Sequence, residues 1–118
     1  MYKIESILCP TDFSASSIDT IRYALIFAHQ FNASLTLMYV DEYEQTPQGI
    51  FDKDLIQQIK RREQSEAFAG ELFQKIINVL DIDKNHVKTI VAFGAAYKEV
   101  VLEAERGNYS AVIFSVSR

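Results

Sequence analysis

The sequence predicts an open, doubly wound α/β fold, in which helices cover both faces of a parallel sheet. Short apolar runs rich in β-branched residues, typical of buried parallel strands, alternate with longer segments of helical periodicity. The resulting order, β-α-β-α-β-α-β, favours a parallel sheet, and right-handed crossovers leave few topologies for it. The 118 residues contain no linker, repeat or low-complexity segment, so we expect a single domain over residues 1–118.

The first strand and helix meet at a short polar turn. The strand is predicted over residues 4–9 and ends at Pro10, because proline has no N–H for the ladder. Ser14 is a suitable N-cap for a helix that continues to Phe31. Asn32 can take the left-handed conformation that often ends a helix. In open α/β sheets, ligands bind at such junctions at the carboxyl end of a strand.

A second strand and a long helix follow. The strand is predicted over residues 34–40, and the polar residues 41–49 indicate a loop. The helix is predicted over residues 52–80, with a charged middle that we expect to be bent or partly detached from the core. Seven positions supply its apolar stripe: Leu55, Ile59, Phe68, Leu72, Phe73, Ile76 and Leu80.

The last part of the chain repeats the strand–helix pattern. A turn over residues 81–85 leads into a third strand over residues 86–93, and Gly94 permits a sharp exit. A helix over residues 95–106 carries an apolar side made of Val100, Val101 and Ala104, and Gly107 is placed to cap it. The fourth strand is predicted over residues 111–116.

Composition excludes several function classes. The net charge of −4 disfavours nucleic acid or an anionic membrane as a partner, because both need a concentrated positive field. No apolar run approaches the length of a membrane helix, and the first residues lack the apolar core of a signal peptide, so we expect a cytoplasmic protein. The single cysteine, Cys9, excludes an intrachain disulfide and is expected to be buried.

Taken in this order, the elements resemble the universal stress protein family. The resemblance rests on residues 7–14 (ILCPTDFS), on residues 32–41 and on residues 91–94, followed by the apolar residues 111–114. It implies a parallel sheet of four or five strands in the order 3-2-1-4-5, of the adenine nucleotide alpha hydrolase-like type. It also implies homodimers and a role in the stress response.

The resemblance further implies a ligand, because many members of the family bind ATP. By that resemblance Pro10, Thr11, Asp12 and Val40 would hold the adenosine part. The phosphates would lie on a Gly-x-x-Gly segment after the fourth strand, where backbone N–H groups can approach closely. Here Ser115 and Arg118 stand at the two glycine positions, and we expect the order 3-2-1-4 with the fifth strand missing. ATP is therefore a candidate cofactor that the sequence alone does not assign.

The acidic residues at the strand ends have competing interpretations. Asp12 can bind a ribose or an adenine, or it can tie the turn together and cap the helix, which is the commoner role of such a residue. Asp41 and Glu42 follow the second strand and can neighbour Asp12 in space. Acidic clusters of this kind also occur in phosphoacceptor receiver domains, but Cys9 and Pro10 do not supply the required acid pair.

The sequence shows no catalytic constellation. His29 and His86 lie far apart and lack the spacing of a zinc site, so no metal is expected. No histidine is placed to activate a serine. We therefore predict a non-catalytic stress-response module that acts through dimerisation and through contact with an unknown protein partner. The homodimer would form through the exposed edge of the fourth strand or through the adjacent helix. The alternative is a nucleotide-binding module that uses Pro10–Asp12 and Val40 for adenosine.

Overall fold

The computed structural model describes residues 3–42 and 52–115 of the chain. Strands and helices alternate through both ranges, as the sequence predicts. The elements are β1 (Ser6–Pro10), α1 (Ala15–Phe31), β2 (Ser34–Asp41), α2 (Asp52–Val79), β3 (Val87–Phe93), α3 (Ala96–Arg106) and β4 (Ala111–Val112). None of the helices in these ranges combines the length and the apolar character needed to cross a membrane.

The described strands form one parallel sheet in the order β3-β2-β1-β4. This confirms the doubly wound α/β fold and the predicted order 3-2-1-4. In the register, Leu8 of the central strand β1 lies opposite Thr36 of β2 and Val112 of β4. The prediction that β1 is buried on both faces is also confirmed, because Ile7, Leu8 and Cys9 are fully inaccessible to solvent.

Alternation along the strands divides the core between the two faces of the sheet. Ile7 and Cys9 of β1, with Leu35 and Leu37 of β2, belong to the main hydrophobic cluster, which also includes residues of α1 and α2. The intervening side chains, such as Leu8, Thr36 and Met38, face the other side, where α3 packs across β2 and β3. The larger core is therefore on the α1–α2 face, and the opposite face is only partly covered by α3 in the described chain.

Both predicted ends of α1 are confirmed. The Ser14 hydroxyl accepts a hydrogen bond from the N–H of Ser17 at 3.2 Å and so satisfies one of the unpaired donors of the first turn. Asn32 ends the helix with φ 52° and ψ 43°, and its N–H donates to the carbonyls of Ala28 and His29. Asparagine tolerates this left-handed conformation better than most residues, which explains its place there.

The apolar stripe predicted along α2 packs on the sheet over only part of its length. Buried residues occur from Ala69 to Ile77, whereas Leu55 and Ile59 in the N-terminal half are 57% and 49% exposed. Phe68, a third member of the stripe, is also exposed. The reason is geometric: a helix of 28 residues is about 42 Å long. The seven residues of β3 span only about 23 Å.

The fourth strand is shorter than predicted. Only Ala111 and Val112 pair as a strand with β1, although the N–H of Ile113 still donates to the carbonyl of Leu8 at 2.9 Å. The next bond of this parallel ladder would need an N–H from Pro10, which proline lacks, so regular pairing stops there. Residue 116, the predicted end, and residues 43–49 of the predicted loop lie outside the described residues.

Candidate functional site

A cavity of about 530 Å³ lies at the carboxyl end of the sheet, between the strand ends and α3. Pro10, Thr11, Asp12 and Val40, which the sequence nominated for adenosine, all line this one cavity. They come from two neighbouring strands whose carboxyl ends meet at the same edge. The position agrees with the general rule for ligand sites in open α/β sheets.

The floor of the cavity follows from the pleat of the strands. The residues that line it are Pro10 of β1, Met38 and Val40 of β2, Val112 of β4, and Phe114 just after β4. These positions alternate with residues that point into the α1–α2 core. The same period that builds the core on one face thus leaves an apolar floor on the other.

The wall of the cavity comes from α3, for which the sequence predicts an apolar side. Val100, Val101 and Ala104, the predicted apolar side, line the cavity together with Tyr97. Val101 is 38% exposed and Tyr97 is 84% exposed, so these side chains are not packed in the interior. The apolar side was recognised in the sequence from Val100, Val101 and Ala104, but such spacing alone does not distinguish a core from a cavity wall, and Tyr97 was not recognised.

The turn between β1 and α1 is fixed by its own side chains. The Thr11 hydroxyl accepts a hydrogen bond from the N–H of Phe13 at 3.1 Å, and the N–H of Thr11 donates to the carbonyl of Met38 at 2.8 Å. Asp12 Oδ1 accepts from the N–H of Ser14 at 2.9 Å and from the hydroxyl of Ser17 at 2.5 Å. Asp12 therefore does tie the turn, and it borders the cavity as well.

Phe13 adopts a backbone conformation that is unusual for a bulky residue. Its φ is 64°, in the left-handed region. Its ring packs against Tyr39, with centroids 4.8 Å apart, and edge-on against Phe73 at 5.1 Å. These contacts and the Asp12 hydrogen bonds hold the strained turn, so the cavity rim at this point is preorganised rather than loose.

The same hydrogen bonds set the charge of Asp12. Interaction with the side chain of Ser14, together with hydrogen bonds from the hydroxyl of Ser17 and from the backbone N–H of Ser14, lowers the pKa of Asp12 to about 2. Hydrogen bonds to a carboxylate favour its charged form. Asp12 is therefore an anion at neutral pH and a weak base, suited to accept hydrogen bonds rather than to remove a proton.

Glu42 contributes a second carboxylate to the rim, as its proximity to Asp12 in the predicted sheet suggested. Its Oε1 accepts a hydrogen bond from the N–H of Ala96, at the first residue of α3, at 3.0 Å. The N-cap residue, Ala95, makes no side-chain hydrogen bond, so Glu42 provides the cap from a distant part of the sequence. Gly94, with φ 140°, allows the sharp exit from β3 that places α3 there.

Other candidate groups lie elsewhere or are inert. Ser115 lines the cavity, and Arg118, the other residue at a predicted phosphate position, lies outside the described residues. His29 and His86 border a second cavity at the opposite end of the strands, although within the described ranges no three histidine, cysteine or acidic residues are grouped to hold a metal. Burial raises the pKa of the Cys9 thiol to about 12, which leaves it protonated and unreactive.

Solved structures share this fold over almost the whole chain. The universal stress protein UspA from Lactobacillus plantarum is 19% identical, covers 99% of this chain and 80% of its own, and superposes with a TM-score of 0.69. A universal stress protein in complex with cAMP is 13% identical, covers 94% and 72% of the two chains, and has a TM-score of 0.67. A protein of the same family from Burkholderia pseudomallei is 17% identical, with coverage of 98% and 84% and a TM-score of 0.66. At these identities the likeness shows the fold alone.

The sequence itself carries the family signal. No curated protein matches it significantly. The model of the universal stress protein family, however, matches residues 3–118, which include the β1–α1 turn, the wall of α3 and the last strand. The chain therefore belongs to the universal stress protein family.

Proposed function

We propose that this chain is a non-catalytic, nucleotide-binding module of the stress response, and that the adenosine part of the ligand occupies the cavity at the carboxyl end of the sheet. The observation that carries the proposal is the convergence of Pro10, Thr11, Asp12 and Val40 on that cavity. Of the two functions that the sequence left open, the geometry favours nucleotide binding over a module that acts by dimerisation alone.

The cavity has the size and the lining that an adenosine needs. A volume of about 530 Å³ falls within the range of about 300–1,000 Å³ typical of small-molecule sites. Val40, Val100 and Val101 offer apolar surface to a flat base, and the carboxylate of Asp12 can accept hydrogen bonds from ribose hydroxyls or an exocyclic amine. A structural neighbour in complex with cAMP gives independent support for an adenosine-type ligand.

The phosphate end of ATP fits less well. Ser115 stands where the family's first phosphate glycine would be, and its Cβ occupies space that a backbone cradle requires. The described lining is mostly apolar, with some hydroxyl residues, the carboxylates of Asp12 and Glu42, and neither a lysine nor an arginine. We therefore assign the adenosine part to this cavity and assign no residue to the β- and γ-phosphates.

Binding without chemistry agrees with the groups that surround the cavity. Asp12, with a pKa of about 2, is too weak a base to activate Ser17, although the two are in contact. Cys9 is buried and protonated. These properties support a ligand-responsive module rather than an enzyme.

Calorimetry and native mass spectrometry with adenosine test the proposal. Val101→Glu places a charge in the apolar wall and should reduce affinity for adenosine at least tenfold, about 1.4 kcal/mol. Ile26→Glu is the control, because Ile26 is 65% exposed on α1 and does not line the cavity. The proposal fails if the unmutated protein binds no adenosine, or if both variants bind it equally well.

A second candidate function is homodimerisation through the α3–β4 side of the molecule. Tyr97, Leu102 and Phe114 expose large apolar side chains there, and β4 is an edge of the described sheet. An exposed strand edge next to apolar surface is a template for pairing with another chain, and a second copy offers the same edge. Binding to a different protein partner would use the same surface.

The oligomeric state at increasing concentration tests this candidate. Native mass spectrometry at tens of micromolar should show a dimer, and Leu102→Lys should shift it towards the monomer. Val79→Lys is the control, because Val79 is 77% exposed at the end of α2 and does not belong to the α3–β4 side. A strictly monomeric unmutated protein would contradict the candidate.

A further inference from the structure

We infer that the cavity prefers an adenosine-class ligand without a polyphosphate, a nucleoside or a mononucleotide, and that Glu42 sets this preference. The inference rests on the proposed function, because it concerns the ligand of the same cavity. It goes beyond that function by identifying a residue that discriminates between ligands by charge.

The first step is the charge at the rim. Asp12 and Glu42 both border the cavity, one after β1 and the other after β2. The lining residues in the described chain include these two carboxylates and neither a lysine nor an arginine. A triphosphate that enters beside them brings several negative charges close to two fixed ones, whereas adenosine brings none.

The second step is the N-terminus of α3. The positive end of a helix and its unpaired N–H groups form a ready site for a phosphate. Here the carboxylate of Glu42 already occupies that position, since its Oε1 accepts the N–H of Ala96 at 3.0 Å. The chain's own anion therefore competes with a ligand's phosphate for the N-terminus of α3.

The two ends of a nucleotide would meet different groups in the cavity. A base and a ribose meet the apolar wall and the hydrogen-bond acceptor Asp12, which suit them. A polyphosphate meets Ser115 and the carboxylate of Glu42, which do not. The penalty is electrostatic, so it should weaken as salt screens the rim.

Isothermal titration with adenosine, AMP and ATP at low and high ionic strength tests the inference. We expect adenosine to bind about tenfold more tightly than ATP at low salt, with a smaller ratio at high salt. Glu42→Gln keeps an oxygen that can accept the N–H of Ala96 but removes the charge, so the ratio should fall about threefold or more. Glu105→Gln removes a carboxylate from α3 at a position away from the cavity, and it should leave the ratio of the two affinities unchanged.

The outcomes separate this inference from the proposed function. If ATP binds as tightly as adenosine or more tightly, the inference is overturned and the nucleotide-binding function stands. If adenosine and ATP both fail to bind, the proposed function itself is overturned, and the inference with it. If Glu42→Gln and Glu105→Gln leave the ratio equally unchanged while Glu42→Gln remains folded by circular dichroism, Glu42 is not the discriminating residue.

Discussion

Removing the hydroxyl of Tyr109 provides the strongest test of the fold. This hydroxyl contacts the buried carboxylate of Glu103, a residue of α3. Glu103 is only 6% exposed, and its Oε2 accepts a hydrogen bond from the Tyr109 hydroxyl at 2.9 Å. Its Oε1 accepts from the guanidinium of Arg106, which is itself mostly exposed. The buried charge thus depends on Tyr109 for one of its two described partners, and Tyr109→Phe removes that partner without removing the ring.

The magnitude follows from the class of the hydrogen bond. A bond to a charged group contributes about 1.5–3 kcal/mol, and its loss leaves a buried acceptor unsatisfied. We therefore expect Tyr109→Phe to lower the free energy of unfolding by about 2 kcal/mol. In a chain of 118 residues, this corresponds to a fall in Tm of about 8 °C.

Urea unfolding followed by far-ultraviolet circular dichroism measures the loss, and a double-mutant cycle identifies its cause. In a Glu103→Leu background the tyrosine hydroxyl has no carboxylate to satisfy, so Tyr109→Phe should cost about 1–2 kcal/mol less than in the unmutated chain. Tyr97→Phe is the control, because Tyr97 is 84% exposed. The reasoning is refuted if Tyr109→Phe costs less than about 0.5 kcal/mol, or if its cost is the same in both backgrounds.

Three further predictions concern a glycine pair, an acid and a thiol. Gly107→Ala should lower stability, because the new Cβ would lie 2.2 Å from the ring of Tyr109. The same change at Gly70, in the middle of α2, should raise stability by about 0.5–1 kcal/mol, because the new Cβ would have no neighbour within 4 Å apart from the backbone of its own helix. Urea unfolding measures both effects. The pKa of Asp12 falls on folding, so its charge stabilises the protein above the unfolded value of 3.8 and this contribution disappears towards pH 2. Asp12→Asn should therefore have a lower free energy of unfolding than the unmutated protein at pH 7, and the two values should converge near pH 2 in acid unfolding. Burial and a pKa of about 12 predict that Cys9 reacts with a thiol reagent only when urea unfolds the chain, and a rapid reaction in native buffer would contradict this.

Much of the fold could be predicted because hydrophobic periodicity is a local property. The run from Ile7 to Cys9 identified a strand buried on both faces, and the Ser14 and Asn32 caps fixed the ends of α1 to within a residue. The end of β4 could not be predicted in the same way. It depends on which strand faces the missing N–H of Pro10, and that is known only once the register of β1 and β4 is fixed.

The strand side of the candidate cavity was nominated from the sequence, and its helix side was not. Pro10, Thr11, Asp12 and Val40 were nominated through the family resemblance, and they line one cavity because the strand ends of a parallel sheet share an edge. Val101 was recognised as part of an apolar side of its helix, but an amphipathic pattern records only that a side chain avoids water. Whether the surface opposite it is another element or a cavity depends on how α3 lies across the sheet.

The difference between the two sheet faces explains how the described chain can hold both a packed core and a candidate binding cavity. Ile7, Cys9 and Leu37 pack with α1 and α2 on one face, whereas Pro10, Met38 and Val40 line the cavity on the other. Neighbouring residues of one strand therefore contribute to the core and to the cavity in turn, because successive side chains point to opposite faces. Changes at the exposed cavity wall, such as Val101→Glu, should then alter binding at little cost in stability. If the site lies on the less covered face of the sheet, Val101→Glu should lower the affinity for the ligand and leave the protein folded.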